Sequence, residues 1–334
     1  MLNPAGVQSL RLLLADPRMD PDEMDWATVR EVAASAGVIV RLADALAARG
    51  DVLPPAFAAR SAGACARTQR ALEIAEGLGA RCTELGIAHA VLRTAERYPD
   101  SGTITLLIAT PNRPAIDQTI LRDLPATPHP RGAAARRAQR HISAVSCFQT
   151  AYGIPLRIRH GRVGRFGEHA RYARVLIDRA APRTVGQATV RGPTPEDHLT
   201  LLAIERTYMR PAFRLDDLAW AIPALRAAAF NWDYLFATAI SIGMLESVGA
   251  FLAYVNDVYR QLCSSRVVSA AVLARFDGQP RAPTPDAERF PMPSRMARSY
   301  VHHLGATLES GRWQSAARLS LLPLVAALGA WRSA

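Results

Sequence analysis

The chain has 334 residues, of which 49% are hydrophobic and 7% aromatic, so it is long enough for two domains and rich in the Ala and Leu that suit a helical core. Its 40 basic residues, all Arg, outweigh 29 acids and leave a formal charge of +11. Cys65, Cys82, Cys147 and Cys263 are far apart, without a C-x-x-C or a nearby His pair, which speaks against a disulfide scaffold or zinc module and for free thiols in a reducing cytoplasm.

The first residues lack the charged start and long apolar run of a signal peptide. Residues 5–49 read as two amphipathic helices divided by ADPRMDPDEMDW, with Asp25 as a cap before the second and Gly37 as an interruption. Pro54-Pro55 opens a long helix to about Leu85, with apolar Ala64, Ala71, Ile74 and Leu78 at helical spacing. Gly86 ends it, and two β-prone runs follow at 87–92 and 103–109. PNRPAIDQTILRDL (111–124) predicts a helix with Asn112 as cap and Pro114 in the first turn. PATPHPRGAAARRAQR (125–140) reads as an exposed loop leading into a short basic helix. HISAVSCFQTAYG and IPLRIRH predict two strands joined by a hairpin at Tyr152-Gly153. In the second, Leu156 and Ile158 alternate with Arg157 and Arg159, giving one apolar and one basic face.

HGRVGRFG (160–167) sets Arg between glycines, but matches neither a P-loop nor a dinucleotide fingerprint, and an exposed loop is the better expectation. From Pro195 the chain reads as helical in three stretches, 196–209, 215–229 and 231–262, with Asp197 and Asn231 as caps. A Pro-rich linker, 277–293, precedes two last helices at about 294–309 and 313–331. The apolar run 319–331 is short and broken by Pro, so it predicts a core helix and not a membrane span, with peripheral membrane contact the minor alternative. His198, His302 and His303 read as ordinary helix positions, and Trp220, Trp232 and Tyr234 as core.

Together these elements predict an α+β fold. A small mixed sheet (86–190) lies between an N-terminal helical region (1–85) and a larger C-terminal one: a helical domain (191–276), the linker 277–293 and the helices of 294–334. The charge is concentrated in the sheet region: 124–184 holds twelve Arg and two acids, 12 − 2 = +10. That density favours an anionic partner, although a solvated basic surface would produce it too.

The order of motifs resembles the uncharacterised nucleotidyltransferase family of bacteria, a branch of the polymerase-β-like nucleotidyltransferase superfamily. Asp25-Trp26, Ala33 and Gly37-Val38 are similar to its opening "DW…A…hGV" pattern. Gly86-Ile87 with Leu92-Arg93-Thr94 stands where the family has "GI…hLKG", and GTITLLI (102–108) where it has "GDIDLLV". GIPLRIRH (153–160) is in the register of "GhPhDLHW". PEDHLTLL (195–202), LDDLAWA (215–221) and NWDYL (231–235) are similar to three later motifs, so the likeness covers about residues 10–260.

The resemblance implies a nucleotidyltransferase-like fold whose active members hold two magnesium ions on two Asp of one strand and a third on its neighbour. Alternate strand residues share a face, which is why D-x-D lets both carboxylates reach one metal. Those positions here hold Thr103, Thr105 and Arg157, and Arg93-Thr94 replaces the Lys-Gly turn. Exchanging three carboxylates for two neutral groups and a cation shifts the local charge by about +4, at about 4 kcal/mol per like-charge contact. Magnesium binding is therefore not expected, and the chain reads as a pseudoenzyme.

Arg93, Arg157, Arg159 and Arg162, with Thr103 and Thr105, are the candidate ligand-binding residues, since Arg binds phosphate through a bidentate fork without metal. The resulting expectation is a binding or accessory subunit in a biosynthetic pathway, holding a nucleotide or other phosphorylated anion, or engaging a protein or peptide. Two alternatives stay open. One is a transferase with metal-independent chemistry, using His160 for proton transfer. The other, ranked behind, is nucleic-acid binding through 124–184.

Overall fold

The computed structural model describes residues 4–14, 24–92, 103–111, 114–129, 144–164, 167–208, 215–276 and 293–321. Helix α1 (Pro4–Leu13) is followed by α2 (Trp26–Ala36), capped as expected by Asp25, whose carboxylate accepts the Thr28 N–H at 3.3 Å. Gly37, at φ 72°, takes the left-handed conformation that glycine adopts without penalty, and α3 (Ile39–Arg49) starts at once. The interruption at Gly37 is thus a full break, giving three helices.

α4 (Pro55–Glu84) is 30 residues long, about 45 Å at 1.5 Å per residue, and joins the two halves of the protein. Its first turn puts Phe57 among the helices. Its second half lays Ala71, Ile74, Ala75, Leu78 and Cys82 beneath the sheet.

The main sheet contains β1 (His89–Val91), β2 (Ile104–Ile108), β3 (Ala126–Pro128), β4 (Val145–Thr150) and β5 (Pro155–His160), in the order β1-β2-β5-β4-β3. Only β2 and β5 run parallel, so the sheet is mixed. One strand more than expected is present: β3 lies where a loop was predicted. Pro128 fits there because an edge strand can leave one side of its backbone unpaired. Residues 130–143, the expected basic helix included, lie outside the described residues, as does Asn112. The β4–β5 hairpin turns at Gly153, φ 71°, as the sequence predicts. α5 (Pro114–Ile120) packs with α4 on one face of the sheet, over Ile104, Leu106, Ile108, Leu156 and Ile158. The opposite face, with Leu107, meets Tyr172, Ala173, Leu176 and Ile177 of α6 (Ala170–Arg179).

A second antiparallel pair that the sequence reading did not single out, β6 (Ala181–Val185) and β7 (Ala188–Gly192), packs on α4 and β1. Helices α7 (Pro195–Tyr208), α8 (Leu215–Arg226), α9 (Trp232–Ser241), α10 (Leu245–Cys263) and α11 (Ala270–Arg275) follow. The stretch 231–262 is two helices because Gly243, φ 73°, stops α9. Asn231 caps α9 as predicted, its side chain accepting from Tyr234 N–H at 2.9 Å.

Asp197 is not the cap of α7. Thr194 takes that place and accepts the Asp197 N–H at 3.3 Å, while the buried Asp197 carboxylate receives Tyr234 Oη at 2.6 Å, Tyr172 Oη at 3.2 Å and Arg179 Nε at 3.2 Å. Arg206 of α7 meets Asp217 of α8 in a buried two-pronged ion pair, at 2.5 and 2.6 Å. One core unites Leu10, Val29, Leu42 and Phe57 with Leu199, Leu218, Phe251 and Phe276, so the helices on either side of the sheet in sequence are one body in space. α12 (Pro293–Glu309) and α13 (Trp313–Leu319) close the described chain, with Leu304 and Leu319 against the α6 side of the sheet. Residues 322–334, most of the expected last helix, and linker residues 277–292 lie outside the described residues. No described helix is long and apolar enough to cross a membrane. The fold is α+β.

Candidate functional site

Thr105 and Arg157 are direct partners across the parallel β2–β5 pair, and the N–H of Leu92 at the end of β1 donates to Thr105 O at 2.8 Å. Residues 104–108 of GTITLLI and 156–160 of GIPLRIRH thus meet side by side. Thr103 stands two residues before Thr105, partly exposed, and Thr105 is buried. Arg93 lies outside the described residues.

The basic face of β5 is not an open groove. α6 covers that side, Arg157 is half-buried and Arg159 is buried, its Nη1 donating to Gly164 O at 2.9 Å. His160 follows the opposite parity and turns its ring to the α5 side, so the expected partnership of His160 with Arg157 and Arg159 does not form. Its Nε2 lies 3.1 Å from Asp117 Oδ1 and 3.3 Å from Ser146 Oγ, and Ser146 donates to Asp117 Oδ2 at 2.6 Å. Both His160 and Asp117 side chains are sealed, at 0% and 3% exposure, which places no imidazole nitrogen within a solute's reach. This Asp–His–Ser set buttresses the sheet against α5.

The cleft itself lies at the carboxyl ends of β2 and β5, where a parallel pair in a sheet leaves a crevice between departing loops. Its volume is about 520 Å³. Thr110 and Pro111 line one wall, Gly161 and Arg162 the floor, and Ala170, Arg171, Arg174 and Ile177 of α6 the other wall. No acid is among the described residues that line it. α6 starts at this edge, with no side-chain cap from His169, so the unpaired N–H groups and positive dipole end of its first turn add to the field.

Arg162 donates through Nη1 to Gly167 O at 3.0 Å and through Nη2 to Gln314 Oε1 at 3.4 Å, both neutral acceptors. Arg162, Arg171 and Arg174 have no carboxylate partner among the described residues. The glycine-rich turn behind them is not the exposed loop that was expected: Val163, Gly164, Gly167 and Glu168 are buried. Gly164, at φ 98°, passes so close to Glu168 that a Cβ there would lie 2.3 Å from the carboxyl group.

At the start of α6, His169 stacks on His303 of α12, with centroids 4.6 Å apart and planes within 5°. Burial holds His169 well below the ordinary imidazole range and brings His303 to about 3, with Arg312 adding to both shifts, so the pair is neutral at pH 7. His303 is therefore a helix position used for buried packing, and so is His198, which packs on Trp220 with ring centroids 4.2 Å apart.

Of the residues singled out in the sequence, Arg162 belongs to the cleft; Thr103, Thr105, Arg157 and Arg159 do not line it. His160 lines it only as the residue before Gly161, since its side chain is sealed. Arg171 and Arg174 were visible only as members of the Arg-dense segment. Their i, i+3 spacing on a helix with Tyr172, Ala173, Leu176 and Ile177 buried is the signal that puts both on the solvent-facing side. Among the described residues no group of three or more His, Cys, Asp or Glu is placed to hold a metal ion.

No protein-family model, curated protein or solved structure matches the chain.

Proposed function

We propose that the chain is a catalytically degenerate nucleotidyltransferase-fold protein that binds a phosphorylated anion without metal and serves as an accessory subunit in a cytoplasmic biosynthetic pathway. The observation that carries this is the acid-free cleft with Arg162, Arg171 and Arg174 at the carboxyl ends of the parallel strands. Guanidinium forks and the free end of α6 supply for a phosphate what magnesium supplies in an active member of the superfamily. Thr105 beside Arg157, where two carboxylates would face each other, supports the degenerate assignment.

A metal-free transferase would need a proton-transfer group facing the ligand, and the sealed ring of His160 argues against it. Nucleic-acid binding along 124–184 is disfavoured because Arg159 is buried and Arg179, at the surface, is already engaged by Asp197 and by the Tyr234 ring at 3.7 Å. Calorimetric titration with ATP, GTP, CTP, UTP and inorganic phosphate, with magnesium and again with excess chelator, tests the proposal. Anion binding should ignore the chelator and weaken at least about tenfold in Arg171→Gln/Arg174→Gln. Binding that requires magnesium, or that survives loss of the cleft arginines, refutes it.

A further inference from the structure

The C-terminal helices bring two more arginines near this cleft, outside its lining. Gln314, the acceptor of Arg162 Nη2, is in the first turn of α13, and Arg318 lies one turn further on the same side. Arg312, just before α13, donates from Nε to Ser310 Oγ at 2.5 Å and from Nη2 to Ala306 O at 3.5 Å, which holds one edge of its guanidinium at the end of α12. Burial first, and then the neighbouring charges, hold Arg312 and Arg318 below the ordinary guanidinium range: Arg171 acts on Arg312, and Arg162 on Arg318. The stacked His169 and His303 lock α6 to α12 at this place.

Three arginines line the crevice and two more stand near it, and among the described residues Glu168, which acts on Arg318, is the acid beside them: 5 − 1 = +4. A single phosphate ester, with a charge of about −2, leaves half of that uncompensated, whereas pyrophosphate or a diphosphate monoester, at about −3, neutralises most of it. Among the described residues, the walls contributed by Ala109, Pro111, Ala170 and Ile177 carry no aromatic ring on which a nucleobase could stack.

Resting on the anion-cleft reading above, we propose that Arg312 and Arg318 form a second phosphate subsite, so that the preferred ligand is a diphosphate on a non-aromatic carrier. One phosphate sits on Arg162, Arg171 and Arg174, and the other bridges to α13.

The probes are inorganic phosphate, pyrophosphate and ADP, titrated calorimetrically into the full chain in excess chelator. Wild type should prefer pyrophosphate over phosphate by at least about tenfold, and ADP should bind no tighter than pyrophosphate. Arg312→Gln/Arg318→Gln should bring the two inorganic ligands to within about twofold while phosphate binding stays unchanged, which also shows that the cleft is still folded. Arg312→Lys/Arg318→Lys should restore most of the preference, since the charge returns. Equal affinity for phosphate and pyrophosphate in wild type, or a preference that survives the double Gln variant, overturns the second subsite and leaves the cleft standing. ADP binding tighter by tenfold overturns the non-aromatic carrier. No binding of either inorganic ligand to wild type overturns the cleft reading and this one with it.

Discussion

If Thr105 and Arg157 occupy carboxylate positions, then restoring the carboxylates should restore a response to magnesium. The two residues are partners on parallel strands, so side chains at these positions lie about 5 Å apart on one face. In Thr105→Asp the new carboxylate faces Arg157, and at an effective dielectric near 20 the attraction is about 3 kcal/mol, offsetting the cost of placing a charge at a buried site. In Thr105→Asp/Arg157→Asp the same distance turns that gain into a repulsion of about 3 kcal/mol, so the double variant should be less stable than Thr105→Asp by several kcal/mol. A divalent ion between the two carboxylates removes the repulsion. Urea unfolding of wild type, both variants and the triple variant adding Thr103→Asp, in magnesium and in chelator, reads this out. The double and triple variants should gain stability from magnesium, and wild type should not. A double variant that is folded, yet has the same unfolding midpoint in magnesium and chelator, refutes the register and with it the degenerate assignment.

Two further outcomes concern the scaffold that holds the cleft. His303 has a folded-state value near 3 against 6.5, so between these limits the unfolded chain binds the extra proton; stability is complete above about pH 6.5 and falls as pH drops toward 3. His303→Phe should keep the stack with His169 and flatten that slope by about one proton in urea unfolding measured across the window; an unchanged slope would refute the assignment. Asp217→Asn should cost about 3–5 kcal/mol by leaving Arg206 buried beside a neutral partner, whereas Arg206→Met/Asp217→Leu should fall well short of that loss. A single-variant loss below about 1 kcal/mol in urea unfolding would show that the pair does not pin α7 to α8.

Much of the architecture was legible because its signals are local. Asp25, Asn231 and the glycines at 37 and 153 mark caps and turns through their own backbone chemistry, and the alternation of Leu156 and Ile158 with Arg157 and Arg159 fixes which strand face is apolar. The misses have non-local causes. β3 is three residues long and includes Pro128, so it exists only because β4 offers it an edge. Asp197 has the composition of a cap, but the hydroxyls of Tyr172 and Tyr234, 25 and 37 residues away, claim its carboxylate. The charge pattern of IPLRIRH suggested an open basic groove, and nothing in the strand itself tells that α6 will lie over it.

The cleft was illegible for a related reason, and its position explains its charge. Because β2 and β5 are the parallel pair, both leave the sheet at the same edge, and the glycine turns of 161–167 bring α6 back there with its N-terminus foremost. Residues 109–111, 160–162 and 170–177 converge only through that topology. Elsewhere several arginines are paired with acids: Arg70 with Glu73, Arg81 with Glu84, Arg179 with Asp197 and Arg206 with Asp217. At the cleft Arg162, Arg171 and Arg174 have no carboxylate partner among the described residues, although two like charges one helical turn apart, as Arg171 and Arg174 are, cost about 0.2–0.5 kcal/mol. Three guanidinium groups without a carboxylate partner among the described residues, set around one crevice, bear a repulsion that a bound anion would relieve.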